Sequence, residues 1–422
     1  MTDDVALLLR RAGFGPTAAE LSAARQSGYA ATLERLVTPP GPDVGASSAP
    51  LPDIGPDPHA NLPNPTRAQH ERADRMRKAQ AERIERWWLD RMAVADHQAR
   101  EKLVFFWHGH WATSVDKVCS AQFMLTQHRT FRTARDVVDL AHRMVEDQAL
   151  IYWLDGQHNK KDAPNENLAR ELFELFLLGI GRYTERDVKE AGRALTGWRV
   201  ILEQETPVFD RQRHDPGTKT ILGVTSRFTA HSLVDLLLNH PECPRFVASR
   251  LWFRYASSTE PVPERTRDRM VEAFPDPMRM LRALFTDEAF PATANGLVKQ
   301  PVEWLVGAMR QLGLRMSGLS VEVATDLLWK MRVLGQLPFA PPSVGGWPAG
   351  TAWLTSAAAQ SRITLAGRLA DLVRPTRLTP EGLAQLLCLP GWTNRTYEVL
   401  RTVQDPRQLL VLGLNSPEYL VT

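Results

Sequence analysis

Cysteines are scarce in this chain of 422 residues. The three that are present, Cys119, Cys243 and Cys388, lie far apart and form no CxxC pair. An odd count at such spacing gives no indication of a disulfide framework. We therefore interpret all three cysteines as thiols of the hydrophobic core.

Long apolar runs are also missing. The N-terminus starts acidic and has only a five-residue apolar run, Val5–Leu9, before Arg10. Such a run is too short for the hydrophobic region of a signal peptide. No later stretch approaches the roughly 18 apolar residues that a membrane-spanning helix needs. The sequence therefore predicts a cytoplasmic location and no transmembrane segment, unless a targeting segment has been removed.

Neither sign of charge dominates. Lys and Arg total 51 against 48 Asp and Glu, which gives a net charge of +3, and the two signs are interspersed along the chain. This balance gives no indication of nucleic-acid binding. Hydrophobic residues (43%) and charged residues (23%) have the proportions of a globular protein, which excludes bulk disorder. The length allows one large or two medium domains.

The signatures of the common enzyme classes are not found either. The sequence has no HExxH, no paired ExxH motifs, no Walker loop, no GxSxG and no GxGxxG that follows a strand. Membership of these enzyme classes therefore has no direct support.

Helical periodicity dominates the patterns that are present. Residues 1–38 are predicted to form an N-terminal helical segment, 39–65 a Pro/Gly-rich linker or exposed loop, and 66–422 the main helical domain. Any further boundary inside that domain is placed near 205–230.

The fold class follows from the same patterns. Residues 66–104 are interpreted as one long amphipathic helix or two, with alternating charges on a solvated face. Strand-like alternation is confined to Trp198–Leu202 and the neighbourhood of Phe228. We therefore predict a mainly α fold, an irregular multi-helix bundle with long Pro/Gly-rich loops and at most a small β-hairpin.

Two histidines stand in an unusual aromatic run, Phe105-Phe-Trp-His-Gly-His-Trp111. If the segment is extended, His108 and His110 project to the same side, as two metal ligands would. If it stays helical, the two side chains diverge by about 200° and do not easily share an ion. The alternative to metal binding is a hydrogen bond from each imidazole to the backbone at a helix end. The sequence leaves these alternatives open.

A polar stripe lies on the apolar segment from Asn165 to Gly179, which we expect to be a helix capped by Asn165 and ended by Gly179. Leucines and phenylalanines cover most of this helix, and one arc carries Asn167, Arg170, Glu171 and Glu174. The carboxylates are therefore expected to be partly buried and to need a cation, a hydrogen-bond donor or a metal. Arg170 is an internal candidate for that cation.

The next helix is predicted from a variant capping box of Thr184 and Asp187. Near its end, Arg193 stands among small and apolar neighbours. We interpret Arg193 as a partner for Glu171 or Glu174, or as an anion ligand.

A third motif, His214-Asp215, lies in the turn sequence His-Asp-Pro-Gly-Thr-Lys. Histidine beside aspartate on a loop can supply a metal ligand or a general base. The alternative is an ordinary surface turn.

Ordered motifs extend over nearly the whole chain. They begin with Leu8–Thr17 and with residues 106–114, and they continue in order with Asn159, Asn165-Glu-Asn167, Ala169-Arg-Glu171, Glu174-Leu-Phe176, Leu178-Gly179, Tyr183-Thr-Glu185, Asp187-Val188, Thr196-Gly-Trp198, His214-Asp215, Lys219, Pro301-Val-Glu303 and Pro341-Pro-x-Val-x-Gly-Trp347. This series resembles the domain-of-unknown-function 1800 family, a large bacterial group, with Trp111 in place of the family's phenylalanine.

The resemblance bears on the location and the partners of the protein and does not imply a reaction. Many relatives carry an export signal, whereas this chain has none, and its segment 127–137 is shorter than theirs. Family members often occur beside a second, sulfatase-like family, which implies a protein partner. The family name supplies no reaction.

The leading hypothesis is a metal-assisted enzyme with a divalent ion, either zinc, manganese or iron. Its metal ligands would be His108, His110, His214 and Asp215. The residues that move protons or orient an anionic substrate would be Glu166, Glu171, Glu174, Arg170 and Arg193. Hydrolysis is favoured over oxidation, because no redox-cofactor motif is visible.

The competing hypothesis is a non-catalytic helical scaffold or binding protein. It would dock a partner protein, or bind a glycan or peptide, and the same residues would form a buried polar network that gives packing specificity.

Overall fold

α-Helices form most of the chain in the computed structural model, which describes residues 3–62 and 64–422. Met1, Thr2 and Pro63, which fall in the predicted N-terminal segment and linker, lie outside the described residues. The α-helices are, in chain order, α1 (Asp4–Ala12), α2 (Ala18–Ser27), α3 (Tyr29–Val37), α4 (Val44–Ser47), α5 (Arg67–Val94), α6 (Gln98–His110), α7 (Val115–Val118), α8 (Ala121–Thr133), α9 (Val137–Met144), α10 (Gln148–Trp153), α11 (Asn167–Glu171), α12 (Glu185–Ala194), α13 (Ala230–Leu238), α14 (Glu242–Tyr255), α15 (Glu264–Glu272), α16 (Pro277–Phe285), α17 (Pro301–Leu312), α18 (Val321–Val333), α19 (Ser356–Val373), α20 (Pro380–Leu386), α21 (Asn394–Leu400), α22 (Pro406–Leu414) and α23 (Pro417–Leu420). The predicted mainly α fold is confirmed.

Helical turns of other kinds complete this set. A π-helix follows α11 directly, over Leu172–Leu177. Single 3₁₀ turns lie at Gly156–His158, Pro291–Thr293, Met316–Gly318 and Gly350–Trp353.

The strands of the described ranges form two short antiparallel ribbons, and two isolated β-bridges, Lys160–Ala163 and Val298–Val421, lie outside them. In the first, β1 (Trp198–Arg199) pairs with β2 (Val208–Phe209). In the second, β3 (Lys219–Ile221) pairs with β4 (Val224–Ser226) through a two-residue turn in which Leu222 has φ 49° and Gly223 has φ 78°. Two central residues with positive φ are the type I′ geometry that suits the twist of a hairpin. Leucine is a weak signal for that geometry, so the second ribbon was not predicted.

The Pro/Gly-rich segment lies along α5. The Trp87 indole N–H donates to the Ala49 carbonyl at 3.0 Å, and the Gln80 amide donates to the Ile54 carbonyl at 2.7 Å. Arg77 forms an ion pair of 2.7 Å with Asp57, whose carboxylate is buried. These contacts hold the segment on the helical body.

The long helical region contains two helices, α5 and α6, separated by a turn at 95–97. α6 is buried along nearly its whole length. The loop before α19 contacts it where Gly346, at φ 77°, lies so close that an added Cβ would stand 2.1 Å from the Gly109 carbonyl oxygen. Only glycine fits such an approach, and it places Trp347 against α6.

Most buried apolar side chains, from the first helix to the last, belong to one hydrophobic cluster, for example Leu8, Trp88, Phe176, Trp304 and Tyr419. Ala6, Leu21 and Cys388 form a separate small cluster. Cys243 and Cys388 are buried as predicted, whereas Cys119 is exposed, so its assignment to the core is wrong. None of the described helices is both long enough and apolar enough to cross a bilayer.

Candidate functional site

The two histidines of the aromatic run lie on one continuous helix. α6 extends through His110, so side chains two positions apart point to opposite sides. Of the two geometries that the sequence left open, the structure has the helical one. His108 is 1% exposed and lies among aromatic rings, with centroid distances of 5.2 Å to Trp88 and 5.4 Å to both Phe339 and Trp347.

The contacts of His108 are structural. Its Nε2 accepts a hydrogen bond of 3.0 Å from the backbone N–H of Phe339. Burial lowers the pKa of His108 to about 3, so the ring is neutral near pH 7. The lone pair that a metal would need is therefore occupied by the Phe339 amide.

His110 is bound to the helix that carries the acidic stripe. Its Nε2 donates to the carbonyl of Phe176 at 2.9 Å, so the proton resides on Nε2. Nδ1 is buried and has no hydrogen-bond partner among the described residues. Burial and the nearby charges of Arg250 and Arg254 lower the pKa of His110 to about 3.

The Phe176 carbonyl is available because the helix ends in a π-turn. The amides of Leu178 and Gly179 both donate to the Phe173 carbonyl, at 3.0 and 2.9 Å. The wider π-turn inserts one residue relative to an α-helix, and the last carbonyls of a helix have no partner within it. His110 satisfies one of them, so the π-helix and His110 hold each other in place.

The predicted internal cation of the acidic stripe is engaged elsewhere. Arg170 donates from both terminal nitrogens to the two carboxylate oxygens of Glu185, each at 2.8 Å. It also reaches Glu166 at 3.4 Å. A bidentate pair of this kind is geometrically specific, so Arg170 orients α12 against α11.

Glu171 and Glu174 are consequently left without a cation. The Tyr183 hydroxyl donates to Glu174 at 2.7 Å, and Glu171 is half-buried. Burial and the adjacent negative charge of Glu174 raise the pKa of Glu171. Within the ranges that the structure describes, neither carboxylate has an Arg, Lys or His nitrogen within 4.0 Å.

Arg193 and Asp215 form an ion pair of 2.7 Å. Arg193 also donates to Glu190 at 2.7 Å, and the Gly217 amide donates to Asp215 at 2.8 Å. Burial raises the pKa of Asp215, but the hydrogen bonds from Arg193 and Gly217 outweigh it and leave the pKa below its ordinary value. Arg193 was predicted to pair with Glu171 or Glu174, but in the structure it pairs with Asp215 instead.

His214 lies beside this pair and contacts Thr196. Its Nδ1 lies 3.0 Å from the Thr196 carbonyl oxygen, so Nδ1 carries the proton and Nε2 keeps its lone pair. The Thr196 hydroxyl accepts from the Asp215 amide at 2.8 Å. The buried Lys219 ammonium donates to the carbonyls of Asp215 and Gly217, at 2.7 and 2.8 Å.

Asn159 connects the start of the acidic helix α11 to the end of α12 and to β1. Local periodicity did not indicate this role. Its side-chain oxygen accepts from the Asn165 amide at 2.8 Å, and its side-chain nitrogen donates to the Gly192 carbonyl at 2.9 Å. Its own carbonyl accepts from the Gly197 amide at 3.1 Å. One asparagine therefore joins the segments that begin α11, end α12 and lead into β1.

The predicted helix boundaries are close to those observed. α11 begins at Asn167, and Asn165 accepts from the Asn167 amide at 2.8 Å, an Asx-turn ahead of the helix rather than the cap itself. Gly179, at φ 87°, ends the π-helix as expected. The capping box of Thr184 and Asp187 is confirmed. Asp187 has a second role that was missed, since it accepts from the Leu222 amide at 2.7 Å.

The predicted metal ligands do not form one group. Among the residues described, no set of three or more His, Cys, Asp or Glu side chains is placed to hold a metal ion. The imidazoles of His108 and His110 diverge, and the Asp215 carboxylate accepts from Arg193 and from a backbone amide. The metal role of these residues stays a prediction.

The fold and these contacts define a mainly helical protein whose conspicuous polar side chains form hydrogen-bonded networks between segments. The chain belongs to the family described as "Protein of unknown function (DUF1800)", whose family model matches residues 7–421. No curated protein and no solved structure matches the chain.

Proposed function

We propose that this protein is a non-catalytic helical scaffold that docks a partner protein. The observation that carries the proposal is that three of the predicted site residues make structural contacts. His108 accepts from a backbone amide, His110 donates to a carbonyl, and Arg193 binds Asp215. Polar networks of this kind favour one arrangement of segments over others, which is the property that a scaffold requires.

The surface that we assign to docking is the Ile180 surface, defined as Glu171, Glu174, Ile180 and Tyr183. Ile180 is 78% exposed and stands between Gly179 and Gly181, which have φ angles of 87° and 82°. Ile180 lies on the tight turn that follows the helix of Glu171 and Glu174, and an exposed apolar residue near polar ones in the chain is typical of the centre and rim of a protein interface. Because Glu171 and Glu174 form no ion pair with any described residue, a partner with an apolar socket and a basic rim fits best. The sulfatase-like protein implied by the family resemblance is the first candidate.

The docking proposal is tested with Ile180→Asp. A carboxylate at the centre of the interface removes the anchor and adds an unpaired charge, so we expect Kd for the sulfatase-like partner to rise about 30-fold or more, equivalent to ~2 kcal/mol. Calorimetry with both purified proteins measures this change.

Val44→Asp is the matched control, because Val44 is also an exposed apolar residue, 71% exposed, but begins α4 on another part of the chain. A carboxylate there suits the helix dipole. The proposal is wrong if the wild type does not bind the partner, or if the two substitutions weaken binding equally.

A metal-assisted enzyme, hydrolytic rather than oxidative, is the second proposal. Two observations on the described part of the chain favour it: Glu171 and Glu174 are neighbours with no cation within 4.0 Å, and the Nε2 lone pair of His214 accepts no hydrogen bond there. Carboxylate donors suit manganese better than zinc. The predicted donor set with His108 does not fit one ion, so no reaction step is assigned to it.

Elemental analysis of protein purified without a histidine tag separates the two proposals. For a scaffold we expect no stoichiometric zinc, manganese or iron in the wild type, in Glu171→Gln or in His108→Gln. One metal ion per wild-type chain that is lost in Glu171→Gln would instead favour the enzyme. Unchanged partner binding by Glu171→Gln would then show that docking depends neither on Glu171 nor on the metal.

A further inference from the structure

A pocket of about 550 Å³ lies between α5 and α18, and none of the candidate site residues or the Ile180 surface residues lines it. We call it the Glu85 pocket. Its walls include Ala81 and Glu85 of α5 and Trp329 and Arg332 of α18, and Val115 and Leu337 also line it. Its volume falls within the range of sites that bind small molecules.

Glu85 is a buried carboxyl that lacks a close partner. Its side chain is 3% exposed, and it accepts no hydrogen bond from any residue that the structure describes. The nearest cation is Arg332, whose Nη2 is 3.8 Å from Oε1. Arg332 is shared, because its Nη1 donates to Asp116 at 2.8 Å. Burying a carboxyl without hydrogen bonds costs folding free energy, so its position at a pocket points to an absent donor.

The opposite wall carries an unusually exposed aromatic ring. Trp329 is 63% exposed although it is one of the largest apolar side chains of α18. Indole rings attract cations to their faces more strongly than other aromatic rings do. A ligand with a positive charge and an apolar body would therefore make favourable contacts with Glu85 on one wall and with Trp329 on the other.

The charges around Glu85 also favour a cation. The charged and titratable groups that line the pocket or act on Glu85 are Asp74, Arg77, Lys78, Glu82 and Arg86 of α5, Arg332 of α18, Asp116 of α7, and Cys119 just after it. Arg77 is committed to Asp57 and Arg332 to Asp116, while Lys78 is exposed to solvent. Among the described residues, Arg332 is therefore the one cation within 4.0 Å of the Glu85 carboxylate, and it is shared with Asp116.

We infer that the Glu85 pocket binds a small organic cation, a primary ammonium on an apolar or aromatic body. The ammonium donates to the Glu85 carboxylate, and the body packs on Trp329, Val115 and Leu337. This site is independent of the Ile180 surface, and its test does not involve the partner protein.

The probe is benzylamine, and benzyl alcohol is its neutral counterpart of the same shape. Calorimetry on the full chain should show benzylamine binding at least tenfold more tightly than benzyl alcohol. Glu85→Gln, which keeps the shape but removes the charge, should reduce benzylamine affinity at least tenfold. Trp329→Leu should reduce it severalfold, whereas Glu71→Gln, an exposed carboxylate on the same helix, should leave it unchanged.

The pH dependence gives a second readout. The pKa of Glu85 is raised to about 8, mainly because the carboxyl is buried, although the positive charge of Arg332 opposes the rise. Since the ammonium requires the ionised carboxylate, binding near pH 7 should release about one proton, and affinity should rise until about pH 8. Glu85→Gln should abolish both effects.

The inference is overturned if the wild type binds neither probe, or binds both equally. It is also overturned if Glu85→Gln, shown by circular dichroism to be folded, binds benzylamine as the wild type does. Loss of partner docking in Ile180→Asp would bear on the scaffold proposal alone.

Discussion

For single residues such as His108, His110 and Glu85, burial in the fold affects the protonation state more than the neighbouring residues in the sequence do. His108 and His110 are separated by one glycine, yet each contacts a segment far along the chain, 231 residues away at Phe339 and 66 residues away at Phe176. No local pattern encodes such partners, which is why the sequence left the role of the histidines open.

Glu85 is a different case. Ala81 and Trp88 lie four residues before it and three after it, so the apolar stripe of α5 already included it. The interpretation of this region as a solvated face is wrong for Glu85.

We expect the buried histidines to make the protein sensitive to acid. Burial lowers the pKa of His108 from 6.5 to about 3, so below pH 6.5 the unfolded chain takes up a proton that the folded chain does not. The free energy of unfolding should fall by up to ~1.4 kcal/mol per pH unit for each such histidine as pH decreases from 6.5 toward 3. His110 and His128 are lowered in the same direction. His108→Gln should therefore reduce this slope without abolishing it.

Urea denaturation at about pH 7, 6 and 5 measures the slope. His70→Gln, at an exposed histidine of α5, is the control and should follow the wild type. If His108→Gln and the wild type lose stability in parallel, His108 is not the titrating group.

Caps and turns were the most predictable features of the secondary-structure elements. Thr184 and Asp187 form the expected box because their spacing alone creates it, and Gly179 ends its helix because a positive φ favours glycine. The π-helix over Leu172–Leu177 was not predicted, since one inserted residue barely changes the spacing of an apolar segment. It matters for the candidate site, because its last turn offers the carbonyl that His110 contacts.

The two glycines beside Ile180 allow strain and packing to be separated. Both have positive φ, but a Cβ on Gly179 would stand 3.0 Å from the Phe246 ring, whereas a Cβ on Gly181 would meet no atom within 4 Å. We expect Gly181→Ala to cost about 1 kcal/mol of backbone strain. Gly179→Ala should cost ~1–3 kcal/mol more, because Phe246 must move. Thermal and urea unfolding compare the variants, and equal losses would show that the Phe246 contact is unimportant.

For the whole molecule, composition and periodicity were sufficient for the fold class but not for the site. The helical spacing of apolar residues and the scarcity of strand-like alternation indicated a mainly helical protein. The candidate site depends on how distant segments meet, as when Asn159 joins three of them. The family match covers residues 7–421, which is nearly the whole chain.

Arg11, near the start of the chain, affects the order in which native contacts form while the chain is synthesised. Its guanidinium is buried and donates to the carbonyls of Ala256 and Thr293, at 2.7 and 2.8 Å. These acceptors are synthesised 245 and 282 residues later, so a nascent chain that has emerged only in part holds an arginine without its acceptors. The native contacts of Arg11 can therefore form only after well over half of the polypeptide has been synthesised, so this part of the packing is completed late.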